Sequence, residues 1–196
     1  MLWHRFLFEL REIMDFRQNY FELLGVDAKF AIDLKVVSEK YLELQRKSHP
    51  DKFANVSAAE QRLSVQFSSY INIANETLKS PLLRAEYLLE LAGHPLNSDT
   101  MTINDGQFLF AQMEWRESLS ELSDNVKDAL IDIMAATDEL EVLSVNAHKK
   151  RAQLIALFDA AYDAKQFAMA QQAIAKLHFV EKMLIEIERI EDRLLG

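Results

Sequence analysis

His49-Pro50-Asp51 sets an imidazole and a carboxylate on either side of a proline, with Arg46, Lys47 and Lys52 close around them. Such a pair invites an acid–base reading. Its surroundings oppose that reading: a helical pattern runs into the tripeptide and stops, because Pro50 lacks the N–H that a helix interior needs and biases His49 away from the α region. A second helical pattern opens at Ser57, with Glu60 three residues on in capping-box spacing. The tripeptide is then a short, stiff turn between two helices, with neither the desolvation that tunes a pKa nor a pocket for a substrate. A proline-held turn does present its acid and imidazole rigidly, which lowers the ordering cost of binding another molecule. Basic residues beside it steer an acidic partner and set register more than raw affinity. As a bare string the tripeptide means little, and its place between two amphipathic helices is what gives it weight.

The other chemistry-bearing residues assemble nothing reactive. Three residues before His49, His94, His148 and His178 stand Arg46, Leu91, Val145 and Ala175, so the Glu-x-x-His pairs of a di-iron bundle are absent. His178 has no second ligand at metal spacing and reads as a helix-surface or boundary residue. The chain has no cysteine, which removes disulfides, thiolate metal sites and cysteine nucleophiles together and is compatible with a reducing compartment. It has no glycine-rich phosphate loop. The expectation is a non-enzyme without metal or cofactor. A formal net charge of −9 disfavours a nucleic-acid backbone as partner. No apolar run approaches the roughly 20 residues that span a bilayer, so no membrane partner is expected.

The elements that must position the turn are helices. Across 196 residues there are only four glycines and three prolines, too few chain-breakers for a sheet protein, while 49% hydrophobic and 27% charged residues make an ordinary globular balance. Met1 to Phe8 is greasy, but Glu9, Arg11 and Glu12 interrupt it and no small-residue cleavage site follows, unlike a secretory leader. Trp3, Phe6, Leu7 and Leu10 fall at helical spacing, which fits a short docked helix; alternatively, translation begins at Met14. Asn19 to Leu24 reads as a short helix stopped by Gly25. Asp33 is a plausible N-cap for the next, whose Val37, Tyr41 and Leu44 form a buried stripe. Lys40 and Lys47 flank that stripe on one side, while Arg46 lies further round with Glu39 and Glu43; the ordinary reading of such charges is a solvated face.

The helix opening at Ser57 carries Leu63, Phe67, Tyr70, Ile71, Ala74 and Leu78 and should pack antiparallel to the one before it. Ser80 and Pro81 read as N-cap and first residue of another helix, closed by Gly93. Breakers and turn formers then cluster from Gly93 to Thr100, the best domain boundary in the chain. Beyond it a helix is expected over Ile103 to Leu122. From Ala129, the residues Ile133, Ala136, Leu140, Leu143, Ala147, Leu154, Leu157 and Ala161 make a heptad-like seam broken only by Lys150. A turn at Asp163-Ala164-Lys165 leads to a last helix carrying Phe167, Ala170, Ile174, Leu177, Leu184, Ile187 and Leu194. Three antiparallel helices with matched seams bury one another well.

Tyr20-Phe21, a basic second helix, His49-Pro50-Asp51-Lys52-Phe53 and an antiparallel third helix resemble a J-domain. The continuation is more specific. Leu44-Gln45-Arg46, Ile71-Asn72 with Ala74, Pro81-Leu82-Leu83-Arg84-Ala85-Glu86-Tyr87-Leu88-Leu89 and Lys176 to Met183 resemble the HscB family, co-chaperones of iron–sulfur cluster assembly, from about residue 19 to the end. The resemblance implies an all-α, L-shaped protein: an extension over 1–18, a J-domain with its following helix over 19–93, a linker over 94–103 and a three-helix client-binding bundle over 104–196. It implies that the J-domain stimulates the ATPase of HscA, a DnaK-type chaperone, and that the bundle binds and delivers the scaffold protein IscU. Carried onto this chain, His49, Pro50, Asp51, Lys40, Arg46, Lys47 and Lys52 would face the chaperone. Leu109, Phe110, Met113 and Phe179 would form the apolar scaffold patch, with Glu114 and Glu117 its acidic neighbours. Without cysteine, the chain resembles the bacterial, cytoplasmic form rather than the eukaryotic one with its zinc site. Ser48 departs from the usual tyrosine and loses packing against the turn; Phe110 stands where methionine is common. Two rival readings are a J-protein with a different client and a helical adaptor without a chaperone partner. Leu109, Phe110 and Met113 share one helical face (i, i+1, i+4), which fits a core stripe as well as an exposed patch; exposure separates the two.

Overall fold

The computed structural model describes residues 15–49, 57–96, 103–127 and 133–195. Among them every regular element is a helix: α1 Tyr20–Leu23, α2 Leu34–Ser48, α3 Ala58–Lys79, α4 Pro81–Leu91, α5 Gly106–Lys127, α6 Ile133–Asp163 and α7 Phe167–Leu195. No helix among them is long and apolar enough to cross a membrane. The chain divides into two compact units, Met1–Leu91 and Ala92–Gly196.

In the first unit the helix ends follow local chemistry. Asn19 and Glu22 form a reciprocal capping box on α1, and Ser57 and Glu60 do the same on α3. Asp33 caps α2 by accepting from the Lys35 amide. After α1, Gly25 takes a φ of +69° while the amides of Gly25 and Val26 reach back to the carbonyls of Glu22 and Phe21, the Schellman arrangement. Helices α2 and α3 pack as a hairpin, with α1 and α4 against α3. Phe21, Leu24, Val37, Phe67, Ile71, Leu78, Leu88 and Leu89 are fully buried between them, each worth about 1.5–3 kcal/mol relative to exposure. Tyr41, expected in the α2 stripe, is half-buried, because its hydroxyl reaches the edge of the hairpin to donate to Asn72 Oδ1 at 3.1 Å. Tyr20 stacks on Tyr87 with ring centroids 4.3 Å apart. Arg84 is buried, lies over the Phe30 ring at 4.8 Å and donates to the Leu78 carbonyl.

In the second unit α6 and α7 form a long hairpin and α5 lies on α7. The turn between α6 and α7 is a second Schellman arrangement, in which Lys165, at a φ of 57°, does the work of a glycine. Ala136, Leu140, Leu143, Ala147 and Leu154 hold the seam as expected. Near its C-terminal end one position of the seam is displaced: Phe158 is buried and Leu157 is not, while Ala161 is buried as expected. A straight helix of 3.6 residues per turn drifts against a seven-residue repeat, which by the third heptad carries Leu157 off the contact and brings Phe158 onto it. On α7 the buried set is Ala170, Ala173, Ile174, Leu177, Val180, Met183, Ile187 and Ile190, with Leu184 and Leu194 only half-buried. Helix α5 starts at Gly106, three residues later than expected, because Asp105 is its cap: Asp105 Oδ1 accepts from the Phe108 amide at 3.0 Å.

Candidate functional site

Two surfaces collect the residues singled out in the sequence, one in each unit. In the first, α2 ends at Ser48 and His49 leaves the helix with ψ 128°, exposed. Pro50, Asp51 and Lys52 lie outside the described residues. Arg46 and Lys47 are exposed in the last turn, and Lys40, half-buried, lies two turns before Lys47 on the same face. Glu43 ties two of these cations together: Lys40 Nζ sits 3.0 Å from one carboxylate oxygen and Lys47 Nζ contacts the other. The hydrogen bond from Lys47, then that from Lys40, holds the Glu43 carboxyl below its ordinary pKa. Ser48, in the place of a tyrosine, is fully buried; its hydroxyl donates to the Leu44 carbonyl at 2.9 Å and its own carbonyl accepts from Ser68 at 3.3 Å. Gln45 and Tyr41 both donate to Asn72, which pins α2 to α3 just before the turn.

In the second unit the site rests on α5. Phe108 points into the bundle, 4% exposed, while Leu109 at 42%, Phe110 at 63% and Met113 at 70% face water. These three are therefore a surface patch and not core. Glu114 and Glu117 are exposed beside them. Phe179 of α7 is half-buried and meets α5 through two rings: Phe108 edge-on at 5.9 Å and Trp115 stacked at 6.4 Å. The N-terminal end of α5 is fastened by Lys176, whose ammonium lies 2.6 Å from Asp105 Oδ2. That hydrogen bond, followed by the one from the Phe108 amide, depresses the Asp105 pKa. Lys150, the break in the α6 seam, places its ammonium over the Phe108 ring at 5.7 Å. An isolated polar residue in an apolar stripe is thus explained by an aromatic partner from another helix.

Residues 104–188 match the family model described as the HSCB C-terminal oligomerisation domain. A protein of Shewanella woodyi called co-chaperone protein HscB homolog is 42% identical over 176 residues, spanning 90% of this chain and 98% of its own. The chain belongs to the HscB co-chaperone family. The Aliivibrio salmonicida HscB homolog is 38% identical over 180 residues, covering 91% of this chain and 99% of the relative. Among solved structures, HscB from Vibrio cholerae superposes with a TM-score of 0.78 at 34% identity, covering 90% of this chain and 99% of that one. The human co-chaperone HscB gives 0.79 at 27% identity, covering 90% and 84%. The all-helical architecture, a J-domain followed by a helical C-terminal domain, is that of the HscB family.

Some of the site escaped sequence reasoning. Asp105 and Lys176 lie far apart in the chain, and only the N-cap preference before Gly106 hinted at the first of them. Trp115, which backs Phe179, sits one turn along α5 from Ala111 and carried no local signal.

Proposed function

We propose that this HscB-family chain is the co-chaperone that couples an iron–sulfur scaffold client to a DnaK-type ATPase. Its first unit, the J-domain, engages HscA through His49, Pro50 and Asp51, with Lys40, Arg46, Lys47 and Lys52 steering the approach, and stimulates ATP hydrolysis. Its second unit binds IscU on Leu109, Phe110, Met113 and Phe179, with Glu114 and Glu117 setting register. The observation that supports this most is the exposure of Leu109, Phe110 and Met113 together, next to exposed carboxylates, inside the family-matched segment. Three neighbouring large apolar side chains in water mark a contact surface, and basic residues at the end of α2 suit an acidic partner. The chain itself does no chemistry in this reading; the ATPase belongs to the chaperone.

Asp51→Ala is expected to fold normally and to abolish stimulation of HscA turnover, measured as steady-state phosphate release; undiminished stimulation would remove the turn from the account. Leu109→Ala combined with Phe110→Ala and Phe179→Ala is expected to weaken IscU binding by about 100-fold or more in titration calorimetry, in line with about 1 kcal/mol or more per truncated anchor, while HscA stimulation without client persists. The description of the matching family model, an oligomerisation domain, favours a second reading, self-association through residues 104–188; sedimentation velocity of the parent chain tests it, and the triple variant shows whether the patch takes part.

A further inference from the structure

The exposed patch does not end at Met113. Leu109, Met113, Arg116 and Ser120 succeed one another at steps of four, three and four, a single stripe along α5. Where Arg116 and Ser120 stand, the stripe opens into a groove of about 330 Å³ between α5 and α7. Its floor is apolar: Leu119 is 5% and Met183 3% exposed, and Phe179, the patch residue from α7, closes one end. The volume is near the low end of what encloses a small ligand, ~300–1,000 Å³, room for one large side chain and a polar group beside it. The rim carries charges of both signs, but they are not equally available. Glu186 pairs with Arg189 at 3.3 Å and Asp124 is engaged with other groups, whereas Arg116 and Lys182 have no ion-pair or hydrogen-bond partner among the described residues. Two cations without a partner among the described residues thus stand over an apolar floor, while the two rim carboxylates are already engaged.

We infer that this groove is the second half of the client surface, and that it takes an apolar side chain of the scaffold protein flanked by a carboxylate, which Arg116 and Lys182 receive. The inference rests on the client reading above and adds the chemistry of the segment that docks. Opposite charges on the two sides of the stripe, Glu114 and Glu117 on the patch side of α5 and Arg116 with Lys182 on the groove side, then fix how the client lies across it, since complementary charge sets register and rejects wrong partners.

Two full-length variants test it against purified IscU by titration calorimetry. Ser120→Trp fills the groove from an exposed position without touching the floor, and Arg116→Glu with Lys182→Glu reverses the free charges. Each is expected to raise Kd about tenfold, the charge reversal more at low salt than at high salt, with helical content and client-free HscA stimulation unchanged. The Leu109→Ala, Phe110→Ala, Phe179→Ala variant is measured alongside. If it weakens binding while both groove variants bind like the parent, the groove inference is overturned and the patch stands. If none of the three weakens binding, the client reading falls and the groove with it. Weakening by all three, with the stated salt dependence, supports the inference.

Discussion

Lys165 holds a backbone φ of 57°, a conformation that costs a residue with a side chain about 1–2 kcal/mol. Gly25 sits at the same place in the other Schellman turn with no such cost, and a Cβ there would meet nothing within 4 Å. The two positions therefore isolate the backbone term. Gly25→Ala is expected to destabilise the first unit by about 1 kcal/mol. Lys165→Gly relieves the strain but frees the unfolded chain by about 0.4–1 kcal/mol, leaving a net gain of about 0.5 kcal/mol. Urea midpoints of the two variants check both signs. At the same scale Ser48 shows how a small residue replaces a large one: its hydroxyl is satisfied within its own helix and its carbonyl by Ser68, so the end of α2 is pinned by hydrogen bonds where an aromatic ring would pin it by packing.

Helix α5 is the element on which the proposed client surface depends, and its start is held by one carboxylate. Asp105 caps the helix and pairs with Lys176; the ion pair needs its charge, and the charge strengthens the cap at a helix N-terminus. Its folded pKa is depressed, so its contribution is fully present above the ordinary carboxylate value of ~3.9 and is lost as the pH falls through the lower folded value. In Asp105→Asn that pH dependence is missing. The stability difference between parent and variant, followed by urea unfolding, is expected to be largest at and above pH 5 and to shrink toward pH 3. A constant difference would assign the carboxylate no charge-dependent role.

Across the whole molecule, each unit buries a core of its own: Phe67 with Ile71 and Leu88 in the first, Phe158 with Leu140, Ile174 and Leu177 in the second. Truncating a buried phenylalanine costs about 3–5 kcal/mol. Phe67→Ala is therefore expected to lower amide protection in α2–α4 while α6 and α7 keep theirs, and Phe158→Ala to do the reverse, as read by hydrogen exchange. Loss of protection across both units from either change would mean that the cores do not act separately. Two separate cores suit the proposed division of labour, in which one unit meets a chaperone and the other a client.

The amino-acid sequence by itself determined what depends on neighbours along the chain. The capping boxes at Asn19 and Ser57, the Asp33 cap, the stop at Gly25, the proline-held end of α2 and most of the α6 seam follow from φ restrictions, orphan amides and helical periodicity, all of which act within a few residues. Tertiary structure alone decided whether a stripe is core or surface. Leu109, Phe110 and Met113 have the spacing of a buried face, and they are exposed because Phe108, 100° round the helix from Leu109, takes the contact with α7 instead. The same holds for buried Arg84, for Lys150 over the Phe108 ring, and for the groove beside Phe179. Burial, ring stacking and pairing depend on what another helix brings from up to about 70 residues away, and no local pattern carries that information.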